Sequence, residues 1–335
     1  MFYSISAFLA IIGTVIGSGF ISGKEVVVFF SRFGLWSFPC IILTFFLFFF
    51  IFKFLLFKGE KSLKKIEKSK FSFVLNLILC SIFSASMFAG SINMVKGLGK
   101  IAVGIFIILL LFLSARVSKR GISSLNKLNF LLVPIMTLVL IFGGVYLLFK
   151  GGSVCNVGQS FGELSILYTF LYVVLNTANG CVLIANFGQK LTDKQKTRVA
   201  FWSALVLCVI LLIINIVLLF SPKVFGEEMP LLALFSGVWK QVLSFAILIG
   251  CVTTLFSLIY SLSSSMRGLC KNEIWIFCVS VIMPFVLSLC GFGFIVSYLY
   301  PLASVIGAIL LAQLSFIPLF KRADKKVHSA SKDAK

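Results

Sequence analysis

The sequence predicts an all-α integral membrane protein: ten transmembrane helices in two five-helix halves of opposite orientation, with helices one and six broken. Three observations carry this. The 335 residues are 60% hydrophobic and only 12% charged, which excludes an ordinary soluble domain and a disordered chain. The apolar residues fall into ten runs, most of them close to the roughly 20 residues that cross a bilayer. The first and sixth runs are each interrupted by glycine and small polar residues.

The runs cover residues 2–30, 35–57, 71–95, 101–117, 128–149, 164–187, 200–221, 238–264, 274–290 and 294–320. Short connections leave no room for a separate soluble domain. The expected organisation is a transmembrane domain over 1–321, with one repeat over about 1–150 and a second over about 164–321, and a basic tail over 322–335. The amino end has neither a basic stretch before the apolar run nor a small-residue cleavage site, so the first helix is expected to stay.

Orientation follows from the basic residues. Six Lys lie between 58 and 70, four Lys or Arg between 116 and 127, and Lys190, Lys194, Lys196 and Arg198 follow the sixth run. Arg267, Lys271 and the tail belong to the same side, and the opposite side holds only Arg32, Lys96, Lys100, Lys150, Lys223 and Lys240. The positive-inside rule places both termini in the cytoplasm of a multi-pass inner-membrane protein, and an even number of spans agrees. The net charge of +20 is therefore a membrane-topology signal. No basic domain is present that could hold nucleic acid.

The first run contains Gly13, Gly17, Gly19 and Gly23 with Thr14, Ser18 and Ser22. Glycine weakens a helix interior, and freed backbone groups in a membrane are tolerated only inside protein or beside a cavity. The half-helix beginning near Gly19 presents N–H groups suited to a carboxylate. The half-helix ending near Gly17 presents carbonyls suited to a cation. The sixth run repeats the theme at Asn176, Thr177, Asn179 and Gly180. These residues point either to a second break or to close helix packing. Paired with the first, the second break is favoured, since corresponding broken helices in inverted halves mark a transporter site at mid-membrane. An amino acid, with one carboxylate and one ammonium, matches such a site, and Tyr172, Phe83 and Met87 are candidates to enclose its side chain.

Three further stretches bear on the site. Gly250, Thr253 and Thr254 lie near the centre of the eighth run; hydroxyls there can serve a hard cation or bond back to their own helix. Of ten acidic residues only Glu25 falls within a span, which makes it a functional candidate. Glu25 lies about two turns beyond Gly17, suggesting a gate or a proton carrier, with Lys24 beside it facing another way. The segment Glu227-Glu228-Met229-Pro230-Leu231-Leu232 suggests a short apolar cap on the outer vestibule.

The nine cysteines are scattered and the single histidine, His328, lies in the tail. Neither a disulfide framework nor a zinc site is expected. No His/Asp/Glu constellation lies within the spans, so an enzyme is not expected. No nucleotide-binding motif is present, so transport would not be driven by ATP on this chain.

The first-run motif, Gly13 to Gly23 followed by Glu25, Phe29 and Phe30, resembles the first helix of the YkvI-type amino-acid permeases. More distantly it is similar to the glycine motif of the amino acid–polyamine–organocation superfamily. Met229-Pro230 and Tyr300-Pro301 support the resemblance, which covers the whole chain. It implies the LeuT-type fold of two inverted five-helix repeats. It implies substrate contacts at Val15, Gly17 and Gly19, beside those read above at Ser18, Tyr172, Asn176, Thr177, Asn179 and Gly180. It also implies a sodium site from the Gly13 and Ile16 carbonyls with Gly250, Thr253 and Thr254. Two departures stand out: Lys24 replaces an uncharged polar residue, and no acid accompanies the sodium ligands.

The expected function is an ion-coupled symporter, a permease for an amino acid or similar small zwitterion working by alternating access. The alternative is a ligand receptor on the same scaffold that does not transport. No cofactor is expected beyond a coupling sodium ion or proton. The five sodium ligands weigh toward sodium; Glu25 is the one group in a span that would carry a proton. Expected partners are the small-molecule substrate and the lipid bilayer, and the sequence carries no signal for oligomeric state.

Overall fold

The computed structural model describes residues 2–66, 70–120, 125–151, 162–267 and 271–313, and these are helical with no strand among them. Helices α1 (Phe2–Val15), α2 (Ser18–Ile21) and α3 (Lys24–Phe29) form the first run. A 3-10 turn over Ser31–Trp36 leads into α4 (Ser37–Ile66), followed by α5 (Lys70–Val95), α6 (Lys100–Arg120) and α7 (Leu125–Lys150). The second half comprises α8 (Gly162–Gly188), α9 (Asp193–Leu219), a short α10 (Pro230–Leu234) and α11 (Gly237–Arg267). It ends with α12 (Glu273–Phe277), α13 (Met283–Ser288) and α14 (Phe292–Phe294), the last opening a longer helical stretch, Phe292–Gln313.

Within the described residues each of the ten apolar runs falls mainly on helix. Among the described residues eight helices are long and apolar enough to cross a membrane, and Tyr3–Val15 and Glu273–Ser288 are shorter. The ninth run is subdivided by a π-helical turn over Cys278–Ile282, and Pro284 opens the helix after it; proline cannot supply the backbone donor that a straight continuation needs. α4 continues to Ile66 through part of the basic stretch expected as a loop. The basic tail lies outside the described residues.

One expectation is overturned. α8 runs from Gly162 to Gly188 as a single helix, so helix six has no break at Asn176–Gly180. The reason is local. Asn176 Nδ2 donates to Tyr172 O at 3.0 Å, and Thr177 Oγ1 donates to Val173 O. Both side chains return to the helix instead of competing with it. The lone Gly180 costs only about 1 kcal/mol of helix propensity, which packing overrides.

The helices pack in two groups. α1 lies on α8 and α9, and α4 packs along both of these. α5 packs on α11 and α13, with α6 against α11 and α12. Runs one, two, six and seven thus form one group, and runs three, four, eight and nine the other. Each group draws corresponding positions from the two halves of the chain. α7 bridges them, touching α1, α9 and α11. Close packing within the first group depends on small residues: a Cβ added at Gly188 would run into the backbone carbonyl of Leu56 on α4.

A buried hub fixes the joint between α3 and α4. Ser31 Oγ donates to Asn215 Oδ1 at 2.9 Å, and Asn215 Nδ2 donates to Ser37 Oγ at 2.7 Å. Ser37 Oγ in turn donates to Gly34 O at 2.6 Å, across a turn in which Gly34 has φ 58°. An α9 side chain thereby satisfies the polar groups of a tight corner that lipid could not.

Candidate functional site at the breaks of the first run

The first run is interrupted twice. At the first break Gly17 N–H donates to Val15 O at 2.8 Å, a three-residue turn. A continuing helix would have sent that donor to Gly13 O, so the Gly13 carbonyl loses its helical partner. One turn of helix, α2, follows, with Ile21 N–H donating to Gly17 O at 3.0 Å. At the second break Gly23 has φ 78°, a left-handed conformation that glycine adopts without penalty.

The breaks lie where the two groups meet. α1 belongs to the first group, α2 touches α5 and α11 of the second, and α3 touches α8, α9 and the turn Ile295–Leu299. The sulfur end of Met87 on α5 comes over Gly17: a Cβ added there would stand 3.4 Å from Met87 Cε. Gly180 of α8 faces α1, with Thr14 Oγ1 2.8 Å from the position of an added Cβ. α8 thus meets the broken run at Gly180, as expected, while itself remaining intact.

Glu25 decides the character of the site. It is 3% exposed, and its Oε2 has no hydrogen-bond partner among the described residues. The turn at Gly23 folds its side chain back, so that a Cβ added at Gly19 would overlap Glu25 Oε1. Sequence spacing puts Glu25 two turns outward; the structure puts its carboxyl group over Gly19. The space expected for a substrate carboxylate holds the protein's own. Two tyrosines lie within its electrostatic reach, Tyr172 and Tyr300. Tyr172 is fully buried among Phe29, Phe30 and Phe48, with ring centroids 5.6, 4.9 and 5.9 Å away, and its hydroxyl has no hydrogen-bond partner among the described residues. The Tyr300 hydroxyl is 2.5 Å from Ser86 Oγ.

Lys24 turns the other way. Its Nζ donates to Phe225 O at 3.1 Å and Glu227 O at 2.8 Å, in the segment connecting α9 to α10. Leu231 N–H of α10 donates to Ser22 O at 2.8 Å. The Ser22 carbonyl at the second break is therefore taken up by the expected cap, which Glu228 also ties to Lys96 just after α5, at 3.3 Å.

Two of the expected sodium ligands, Gly13 of α1 and Gly250 of α11, pack against α7. A Cβ added at Gly13 would stand 2.6 Å from Val133 Cγ2, and one added at Gly250 would overlap Met136 Cε. Val133 and Met136 are one turn apart on the same α7 face. Thr253 Oγ1 donates back to Ile249 O at 2.9 Å. Ile16 lies in the first break, and Thr254 is half-buried on α11.

Among the other expected substrate contacts, Val15 closes α1, Ser18 opens α2 and Asn179 is half-buried on α8. Sequence reasoning did not single out Tyr300 and Ser86 as site residues. A tyrosine followed by proline within an apolar run was the available signal for the first; Ser86, one of many serines in α5, offered none.

No family model matches the sequence, and no curated protein matches it. Among solved structures, the inward-facing conformation of Mhp1 is similar over 95% of this chain and 77% of that one, with a TM-score of 0.57 at 14% identity. The chain has a LeuT-type fold. In the LeuT-type chain described here, the double break in the first run and the carboxyl of Glu25 sit at the junction of its two helix groups.

Proposed function

We propose that this protein is a secondary active transporter for an amino acid or similar small zwitterion, coupled to sodium or protons and working by alternating access. The observation that carries the reading is the first run, broken twice between two helix groups, with the carboxyl of Glu25, whose Oε2 has no hydrogen-bond partner among the described residues, folded onto Gly19. A buried ionisable group in a membrane is costly and marks a substrate or ion pathway. Broken helices between two groups that can rock are how such pathways are built.

In this reading the ammonium end of the substrate, or the coupling proton, meets Glu25, and the side chains of Tyr172, Tyr300, Phe83 and Met87 enclose the rest. Gly13, Ile16, Gly250, Thr253 and Thr254 hold sodium when α1 and α11 close around Val133 and Met136. Both termini are cytoplasmic, so α10 and the Lys24 contacts form the outer gate.

Counterflow of radiolabelled amino acids in proteoliposomes tests the reading, with and without a sodium gradient. Binding without counterflow would make the protein a receptor instead. If sodium drives transport, Thr254→Ala loses sodium dependence and Glu25→Gln keeps it; if protons do, Glu25→Gln loses acid-stimulated uptake and Thr254→Ala is silent.

A further inference from the structure

Away from the breaks, α4 and α9 leave a groove of about 750 Å³ between them, open on its outer side. α4 contributes Phe49, Lys53 and Phe57, at four-residue intervals that place them on one helix face. α9 contributes Lys194, Arg198 and Phe201, again along one face. The charges are unbalanced. Among the described residues Asp193 is the one acid lining the groove, and it is already engaged by Lys196 Nζ at 3.0 Å.

The cations sit over aromatic rings. Lys53 Nζ lies 5.7 Å from the Phe49 ring centroid, and Lys196 Nζ lies 4.9 Å from that of Phe57. Toward the middle of both helices the surface becomes apolar and outward-facing: Phe46, Phe50 and Trp202 are 49%, 62% and 51% exposed. Charge at one end, aromatic rings at the junction and apolar surface beyond is the profile of a membrane interface.

We propose that this groove binds an anionic glycerophospholipid of the surrounding bilayer. Its phosphate lies among Lys53, Lys194 and Arg198, and its acyl chains run down past Phe49 and Phe201. Basic pockets between transmembrane helices recognise anionic headgroups in this way. The excess of cations selects an anion, and the continuous apolar surface below selects one that carries hydrocarbon. The proposal does not depend on what the protein transports.

Native mass spectrometry of the full chain in detergent tests it, with titrations of dioleoylphosphatidylglycerol, dioleoylphosphatidylcholine and inorganic phosphate. The wild-type protein is expected to hold phosphatidylglycerol about tenfold more tightly than phosphatidylcholine. The triple variant Lys53→Gln/Lys194→Gln/Arg198→Gln should lose that preference, and Lys150→Gln, at the exposed end of α7, should keep it. Should the triple variant fail to fold, Arg198→Gln alone, read as a partial loss of the same ratio, decides. Equal retention of the two lipids, an equal loss in Lys150→Gln, or displacement of phosphatidylglycerol by millimolar phosphate would each overturn the proposal.

Discussion

Two stretches of this protein carry the same sequence signal and fold differently. Residues 13–23 and 176–180 both place glycine and small polar residues in the middle of an apolar run. The first breaks twice, whereas the second continues as unbroken α8. What separates them is where the polar groups go. In α8, Asn176 and Thr177 bond to carbonyls one turn back, within their own helix. At the second break of the first run, a freed backbone group finds a partner outside its own helix: Leu231 N–H takes the Ser22 carbonyl, and the Lys24 side chain reaches the same cap. A transmembrane helix breaks where another element receives the backbone groups it releases.

The comparison can be broken at its stiff end first. Gly188→Val drives a side chain into the Leu56 carbonyl, a backbone atom that cannot step aside. We expect loss of a monodisperse peak in size-exclusion chromatography; a normal peak would mean α8 is not held rigidly against α4. Next in size is Gly19→Leu. Glu25 has to leave its place over Gly19, and uptake should fall by more than about a hundredfold, as for the loss of an oriented charged contact, while the protein still inserts and folds. Wild-type uptake by a well-expressed Gly19→Leu protein would remove the break from the transport site.

Gly23→Ala probes the second break with a smaller change. A left-handed backbone costs a non-glycine residue about 1–2 kcal/mol, and the added Cβ would stand 3.0 Å from that of Leu231. The thermal midpoint should drop by roughly 2–6 °C. An unchanged midpoint would show that the turn relaxes freely. Thr177→Val should have the least effect. It removes a hydroxyl that serves only its own helix and keeps the β-branched shape, so stability should stay within about 0.5 kcal/mol of wild type. A large loss of uptake in Thr177→Val would show that this hydroxyl leaves Val173 to meet the substrate.

The ten runs were legible because hydropathy reports burial in lipid directly. The four glycines of the first run announced its break, and Met229-Pro230 announced the cap. The continuity of α8 was hidden, because Asn and Thr look alike in a sequence whether they compete with the backbone or bond back to it. The position of Glu25 was hidden too. It depends on the turn at the left-handed residue Gly23, which brings the Glu25 carboxyl over Gly19. Tyr300 lies far along the chain, and its proximity to Glu25 is a product of the fold alone.

The Asn215 hub has a mechanical consequence. It binds the corner after α3 to α9, while Lys24 at the start of α3 binds the segment that follows α9. α3 is thus fastened at both ends, to α9 and to the cap, which ties these parts into one unit. The Gly17 turn carries no comparable fastening: it is closed by its own short backbone bond and faced by the flexible end of Met87. Between α1 and α2 the Gly17 turn is therefore a natural pivot.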